Sequence, residues 1–157
     1  MNLYISTKKG ATSSLVSSET NLSNTTIPLQ YIGDNVHVYI KFLDGDGGLS
    51  EFVGRSDAVI NVGVGEAKSR QVNTRTNILK YDSLTSTYSA LLDFGTSEML
   101  NAIGNENTIT LDFEVQISFY ENEYTETLLQ TKIEFSNQLI GEKEYANVIS
   151  QVTAILL

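Results

Sequence analysis

The one histidine of this chain, His37, stands between Val36 and Val38 in an alternating run, on the polar side of it. A nucleophile–base pair would need a Ser and a carboxylate beside it, and neither adjoins it in sequence, so His37 reads as a solvated strand residue. Without a second His and without Cys, a zinc site of the usual kind is excluded, as are disulfides and thiolate chemistry. Asp44-Gly-Asp46-Gly-Gly48 places two carboxylates one residue apart, a spacing that suits a hard cation. The EF-hand pattern fails there. Its fifth position is Gly48, its sixth Leu49 where Gly is required, and its twelfth Arg55 where a bidentate Glu is required. Gly and Asp suit a hairpin turn for backbone reasons alone, and that is the expectation.

Gly63-Val-Gly65 matches part of a dinucleotide fingerprint, but the third glycine is missing and no helical pattern follows. Glu121, Glu123 and Glu126 cluster around an expected hairpin turn. No apolar pocket surrounds them to raise a pKa, so they read as a solvated acidic turn and not as an acid–base pair. Tyrosine is the commonest aromatic, eight residues against six Phe and no Trp. Tyr39, Tyr81, Tyr88, Tyr120 and Tyr124 could line a sugar-binding face, although strand tyrosines more often pack half-buried or at interfaces. No catalytic residue, metal ligand or cofactor is expected.

Any such group would be positioned by strands. Residues 109–119 alternate Ile109, Leu111, Phe113, Val115, Ile117 and Phe119 with polar residues, which puts one face on a core and the other in water. Residues 36–43 alternate in the same way, with Val36, Val38, Ile40 and Phe42 inward. Residues 3–5 form a short strand. Residues 58–64 form another, its glycines marking a bulge or a close backbone approach. Residues 65–77 read as loop, 78–81 as an edge pairing, and 87–94 as strand. Thr96 caps a short helix over 97–103 with Met99, Leu100 and Ile103 as its apolar stripe and Gly104 as a left-handed stop. Glu121-Asn-Glu123 turns the chain into a return strand over 125–135, with Leu128 and Ile133 in the core.

Residues 10–26 are rich in Ser, Thr and Asn and read as an extended arm or loop. The last residues change period. Tyr145, Val148, Val152 and Ile155 are spaced three, four and three, with Ile149 and Leu156 beside them, an a/d-like helical seam. Their β-branched richness keeps a terminal strand open as the alternative. The chain thus divides into a strand and polar arm over 1–26, a sandwich over 27–141, and an oligomerisation or docking segment over 142–157. Its interface candidates are Tyr145, Val148, Val152, Ile155 and Leu156.

At 157 residues the chain suits one domain that needs no staple. Net charge −9 would repel nucleic-acid phosphate, which argues against such a partner. No apolar run is long enough to span a bilayer, and the N-terminus is apolar before it is basic, the wrong order for a secretory signal. Synthesis in a cytoplasm is expected.

Residues 88–140 resemble a domain found near the N-termini of tailed-bacteriophage tail-fibre and baseplate proteins. The matching text is Leu91-Leu92-Asp93-Phe94, the helix over 96–104 and the alternating strand over 109–119. Glu-Asn-Glu at the turn, Thr127-Leu128-Leu129-Gln130 and a closing Asn137-Gln138-Leu139-Ile140 complete it. Residues 36–43 and 58–64 agree more loosely with the family's opening strands. The resemblance implies a small β-sandwich that acts as a structural adaptor between a virion and a fibre or receptor-binding part. No long shaft or tip domain follows, so it points to an adaptor, a short fibre or an anchor for a separate chain.

Together these readings describe an all-β protein: an antiparallel β-sandwich with one short helix in a crossover connection and a C-terminal helical or strand segment. The function expected is that of a non-enzymatic structural component of a tailed-phage virion, assembled in the bacterial cytoplasm, a homo-oligomer partnered by other virion proteins. The alternative is a carbohydrate-binding or adhesin module using surface tyrosines.

Overall fold

The computed structural model describes residues 1–7, 13–74, 77–120 and 124–139. Eleven strands and one α-helix are found among these. They are β1 (Asn2–Ser6), β2 (Ser14–Val16), β3 (Gln30–Tyr31), β4 (Asn35–Leu43), β5 (Ala58–Glu66), β6 (Gln71–Val72), β7 (Asn77–Ile78), β8 (Lys80–Asp82), β9 (Thr87–Asp93), α1 (Ser97–Ile103), β10 (Thr108–Phe119) and β11 (Tyr124–Ser136). One sheet runs β2-β1-β4-β9-β8. The other runs β3-β11-β10-β5-β6, with β7 also on β5.

The alternation read in the sequence decides what lies between the sheets. Val38, Ile40 and Phe42 of β4 and Ile60, Val62 and Val64 of β5 are buried, as are Leu111, Phe113, Val115 and Ile117 of β10. Phe42 meets Phe52 and Tyr88 edge-on at 5.2 and 5.6 Å between ring centroids, and Phe94 meets Phe135 at 4.9 Å, geometries that aromatic quadrupoles favour. In β11 both Leu128 and Leu129 are buried. Strict period two would send one of them to water. The register shift between Val115 and Gln116 leaves Leu128 without a cross-strand partner, a β-bulge that turns both leucines inward.

The antiparallel expectation needs correction, because each sheet is mixed. β1 runs parallel to β4, Leu3 opposite Ile40, and β3 runs parallel to β11, Gln30 opposite Phe135. Side-chain alternation is the same for either direction, so a single sequence reports the face and not the direction. The chain's amino terminus closes the β1–β4 pairing by donating to the His37 carbonyl at 2.7 Å.

The polar arm is also corrected over part of its length. Ser14–Val16 is a strand on β1, with Leu15 and Val16 buried. Two apolar residues among Ser and Thr are too few to show a period, and the open edge of β1 supplies what they lack. Within the stretch read as loop, a 3-10 turn over Ala67–Ser69 and β6 add short structure. The 78–81 edge is divided between sheets. β7 pairs with β5, buried Leu79 makes the crossing, and β8 pairs with β9.

Helix α1 crosses from β9 of one sheet to β10 of the other. Thr96 caps it as expected, its Oγ1 accepting from the Met99 amide at 3.1 Å. So short a helix buries only Met99 and Ile103, one turn apart, and Leu100 is left exposed. Gly104 ends it at φ 53° and ψ −123°, a positive φ outside the left-handed helical region. The expected C-terminal seam of Tyr145, Val148, Val152, Ile155 and Leu156 lies outside the described residues, as does the Glu121-Asn-Glu123 turn.

Candidate functional site

The groups that could have done chemistry are dispersed, and several are already engaged. His37 lies exposed on the outer face of β4, its ring stacked on Tyr39 at 6.1 Å. Asp44 folds back on its own turn, Oδ1 accepting from the Asp46 amide at 2.7 Å and the Gly48 amide at 3.0 Å. This is the turn role expected of it. Gly45 and Gly47, at φ 89° and 95°, supply the backbone reversal. Among the described residues no group of three or more His, Cys, Asp or Glu side chains could hold a metal ion.

The tyrosines do not form one platform, which corrects the sugar-binding face drawn from them. Tyr88 is buried, and its hydroxyl accepts from the Gly54 amide at 3.0 Å; desolvation pushes its phenol above the ordinary value. Tyr81 packs on Tyr88 at 4.8 Å. Tyr120 and Tyr124 are exposed, Tyr120 just after β10 and Tyr124 at the start of β11, and the Tyr124 hydroxyl donates to Glu126 at 3.3 Å. Tyr39 instead shares a recess of about 190 Å³ with Tyr4, the Glu19–Lys41 ion pair and Thr87, on the outer face of the first sheet.

A second recess, about 280 Å³, lies on the outer face of the other sheet. Gly63 and Gly65 floor it, Val72 and Arg70 stand on one side, and Glu114 and Gln130 on the other. Two of its acids, Asp112 and Glu114, are engaged in local hydrogen bonds. Asp112 accepts from Lys132 at 2.6 Å and from the Ala67 amide at 2.8 Å, and Glu114 accepts from Gln116 and Gln130. The hydrogen bond from Lys132, then that from Ala67, holds the Asp112 carboxyl below the usual carboxylate value. A general acid needs the opposite shift, so Asp112 is not tuned as one.

The most constructed polar feature sits where β11 ends. Asn137 donates from its backbone amide to the Asn107 carbonyl at 3.1 Å and from Nδ2 to the Glu106 carbonyl at 2.6 Å. Gln138 donates from Nε2 to Asp34 Oδ1 at 2.7 Å. Its carboxamide fills the space where a Cβ at Gly33 would stand, 2.6 Å from Oε1, and Gly33 holds φ at 102°. Two consecutive side chains thus fasten the chain to two loops, the one after α1 and the one between β3 and β4. Tyr31, paired with Ser136 just before Asn137, is exposed, and so is Leu29 two residues earlier in the chain. Leu139, the next residue out, is 93% exposed. Sequence reading passed over this corner. Asn137-Gln138 closes the stretch that resembles the phage domain, but nothing local shows that its amides would reach residues 34 and 106.

No protein family and no curated protein matches the chain. Among solved structures it is similar to the N-terminal domain of phage TP901-1 ORF48, with a TM-score of 0.46 and 8% identity, over 87% of this chain and 98% of that one.

Proposed function

We propose that this chain is a non-enzymatic structural component of a tailed-phage virion, an adaptor or anchor that works by protein–protein assembly. The observation that carries the reading is the stretch over residues 88–140. Its sequence resembles the adaptor domain of tail-fibre and baseplate proteins, and it forms β9, α1, β10 and β11 in the order that resemblance implies. The engagement of Asp44, Asp112 and Glu114 in their own turns and networks supports it, since each acid has a structural task. The seam of Tyr145, Val148, Val152, Ile155 and Leu156 is the proposed contact between copies. An isolated segment this short is marginal in water and gains stability by packing on a neighbour.

Truncation after Glu142 tests the assembly half. The product should keep its β-type circular dichroism and lose the mass of the full chain's oligomer in light scattering. An unfolded product would place the segment in the core, and an unchanged oligomer would remove its role. Peptide mass spectrometry of purified particles tests the virion half, and absence of the chain from particles would sink it.

The recess lined by Tyr4 and Tyr39 favours a second reading, a carbohydrate-binding module, because aromatic rings beside an ion pair suit a sugar's face and rim. A glycan array separates the two. Saturable binding lost in Tyr39→Ala would favour the second.

A further inference from the structure

We infer that the glycine-floored recess on the outer face of the second sheet is a docking seat for an arginine side chain of a protein partner, with Glu114 as the carboxylate that receives it. This rests on the assembly reading above and names a surface through which assembly would work.

The seat follows from a glycine that the fold does not require. Gly63 lies inside β5, and its φ is not among the positive ones. A Cβ there would meet only Val72 Cγ1, at an ordinary contact distance of 3.5 Å. Glycine within a strand forfeits packing and costs backbone entropy, and it marks places where a ligand or another chain comes close. Gly65 differs, because the Gln71 backbone of β6 already takes the space its side chain would need. Above Gly63 the space is left to something outside the fold.

The chemistry of the occupant follows from the register. Glu114 stands directly opposite Gly63, with Gln130 on its other side. One rung along, Asp112 stands between Gly65 and Lys132 and pairs with the lysine. No ion pair among the described residues includes Glu114. A cross-strand Lys or Arg would balance it, and Gly63 leaves that place empty. The carboxylate is nevertheless held in position. Gln130 Nε2 donates to Oε1 at 3.0 Å and Gln116 Nε2 to Oε2 at 3.2 Å, which leaves a lone pair on each oxygen. Two oxygens fixed side by side match the fork of a guanidinium.

Val72, 53% exposed, stands on the far side of the floor, where the methylene stem of an arginine can lie against it. Glu66 lines the same recess and the chain carries net charge −9, so a basic partner is complementary. Arg70, on the Val72 side, makes no ion pair with Glu114 and is left to donate to backbone carbonyls of the incoming segment.

The test titrates the nitrogen-15-labelled full chain with the blocked peptide acetyl-Gly-Gly-Arg-Gly-Gly-amide. The amide signals of Gly63, Gly65, Val72 and Glu114 should shift saturably. The same peptide with citrulline for arginine, alike in shape but uncharged, should bind about tenfold more weakly or worse. Gly63→Lys supplies the missing cation from within the sheet, and should abolish binding while the melting temperature holds or rises. Glu114→Gln should abolish binding with circular dichroism unchanged. Equal binding of the citrulline peptide, binding that survives either substitution, or no saturable shift in the parent chain would overturn the seat. Mass spectrometry of particles decides the virion reading separately, so the two can fail independently.

Discussion

Asp112 and Lys132 face each other across β10 and β11, Nζ to Oδ1 at 2.6 Å, and the other oxygen of the same carboxylate receives the Ala67 amide at 2.8 Å. One side chain on the outer face of the sheet thereby ties two strands to the turn that follows β5. The neighbouring Phe113 points the other way and is fully buried.

Consecutive residues on opposite faces should respond differently to truncation. Phe113→Ala should cost about 3–5 kcal/mol, through lost transfer energy and the cavity left behind. Asp112→Ala should cost about 1 kcal/mol. Lys132 is largely exposed, so the ion pair adds little, and the lost bond to Ala67 is the larger part. Urea titration measures both, and equal losses would mean the faces are wrongly assigned.

The same carboxylate makes a pH prediction. Its folded pKa lies below the ordinary 3.8, chiefly through the hydrogen bond from Lys132. A depressed carboxyl contributes stability that is fully present above its unfolded pKa and is lost as pH falls through the folded value. The advantage of the parent over Asp112→Asn should therefore hold from pH 7 to about pH 5 and shrink below about pH 4. Thermal melts across that range decide it, and an advantage that grows on acidification would reverse the sign.

Gly63 and Gly65 share a strand face but not a function. A Cβ at Gly65 would lie 2.0 Å from the Gln71 carbonyl oxygen, a backbone atom, whereas one at Gly63 would meet only Val72 Cγ1 at 3.5 Å. Gly65→Ala should cost about 1–3 kcal/mol as β6 is pushed off the sheet. Gly63→Ala should be neutral or stabilise by up to about 1 kcal/mol. Matching melting temperatures for the two would show that β6 is free to give way.

Calcium should leave the melting temperature where chelator leaves it, because the Asp44 oxygen aimed into the turn already accepts two amides. A calcium-dependent rise abolished by Asp44→Asn with Asp46→Asn would make the turn a cation loop.

Strand identity and facing were legible in the residues themselves. Phe113, Val115 and Ile117 alternate with Glu114 and Gln116, and a pattern of period two can bury only one face, whatever the neighbours are. The N-cap at Thr96 was legible for the same local reason, since a hydroxyl three residues before an amide meets it within one turn. The sequence by itself could not choose direction or partner. The parallel pairing of β1 with β4 and of β3 with β11, the strand made of Ser14–Val16, and the separation of Tyr39 from Tyr88 and Tyr124 all depend on which edges come together. The corner where Gln138 reaches Asp34 is decided in the same way. Those residues are 104 positions apart, and their hydrogen bond exists because β3 pairs with the end of β11, Gln30 opposite Phe135 and Tyr31 opposite Ser136, which brings the Asp34 loop beside Gln138. Local chemistry determines what a segment can bury, and only the closed tertiary structure determines which distant polar atoms come within hydrogen-bond reach.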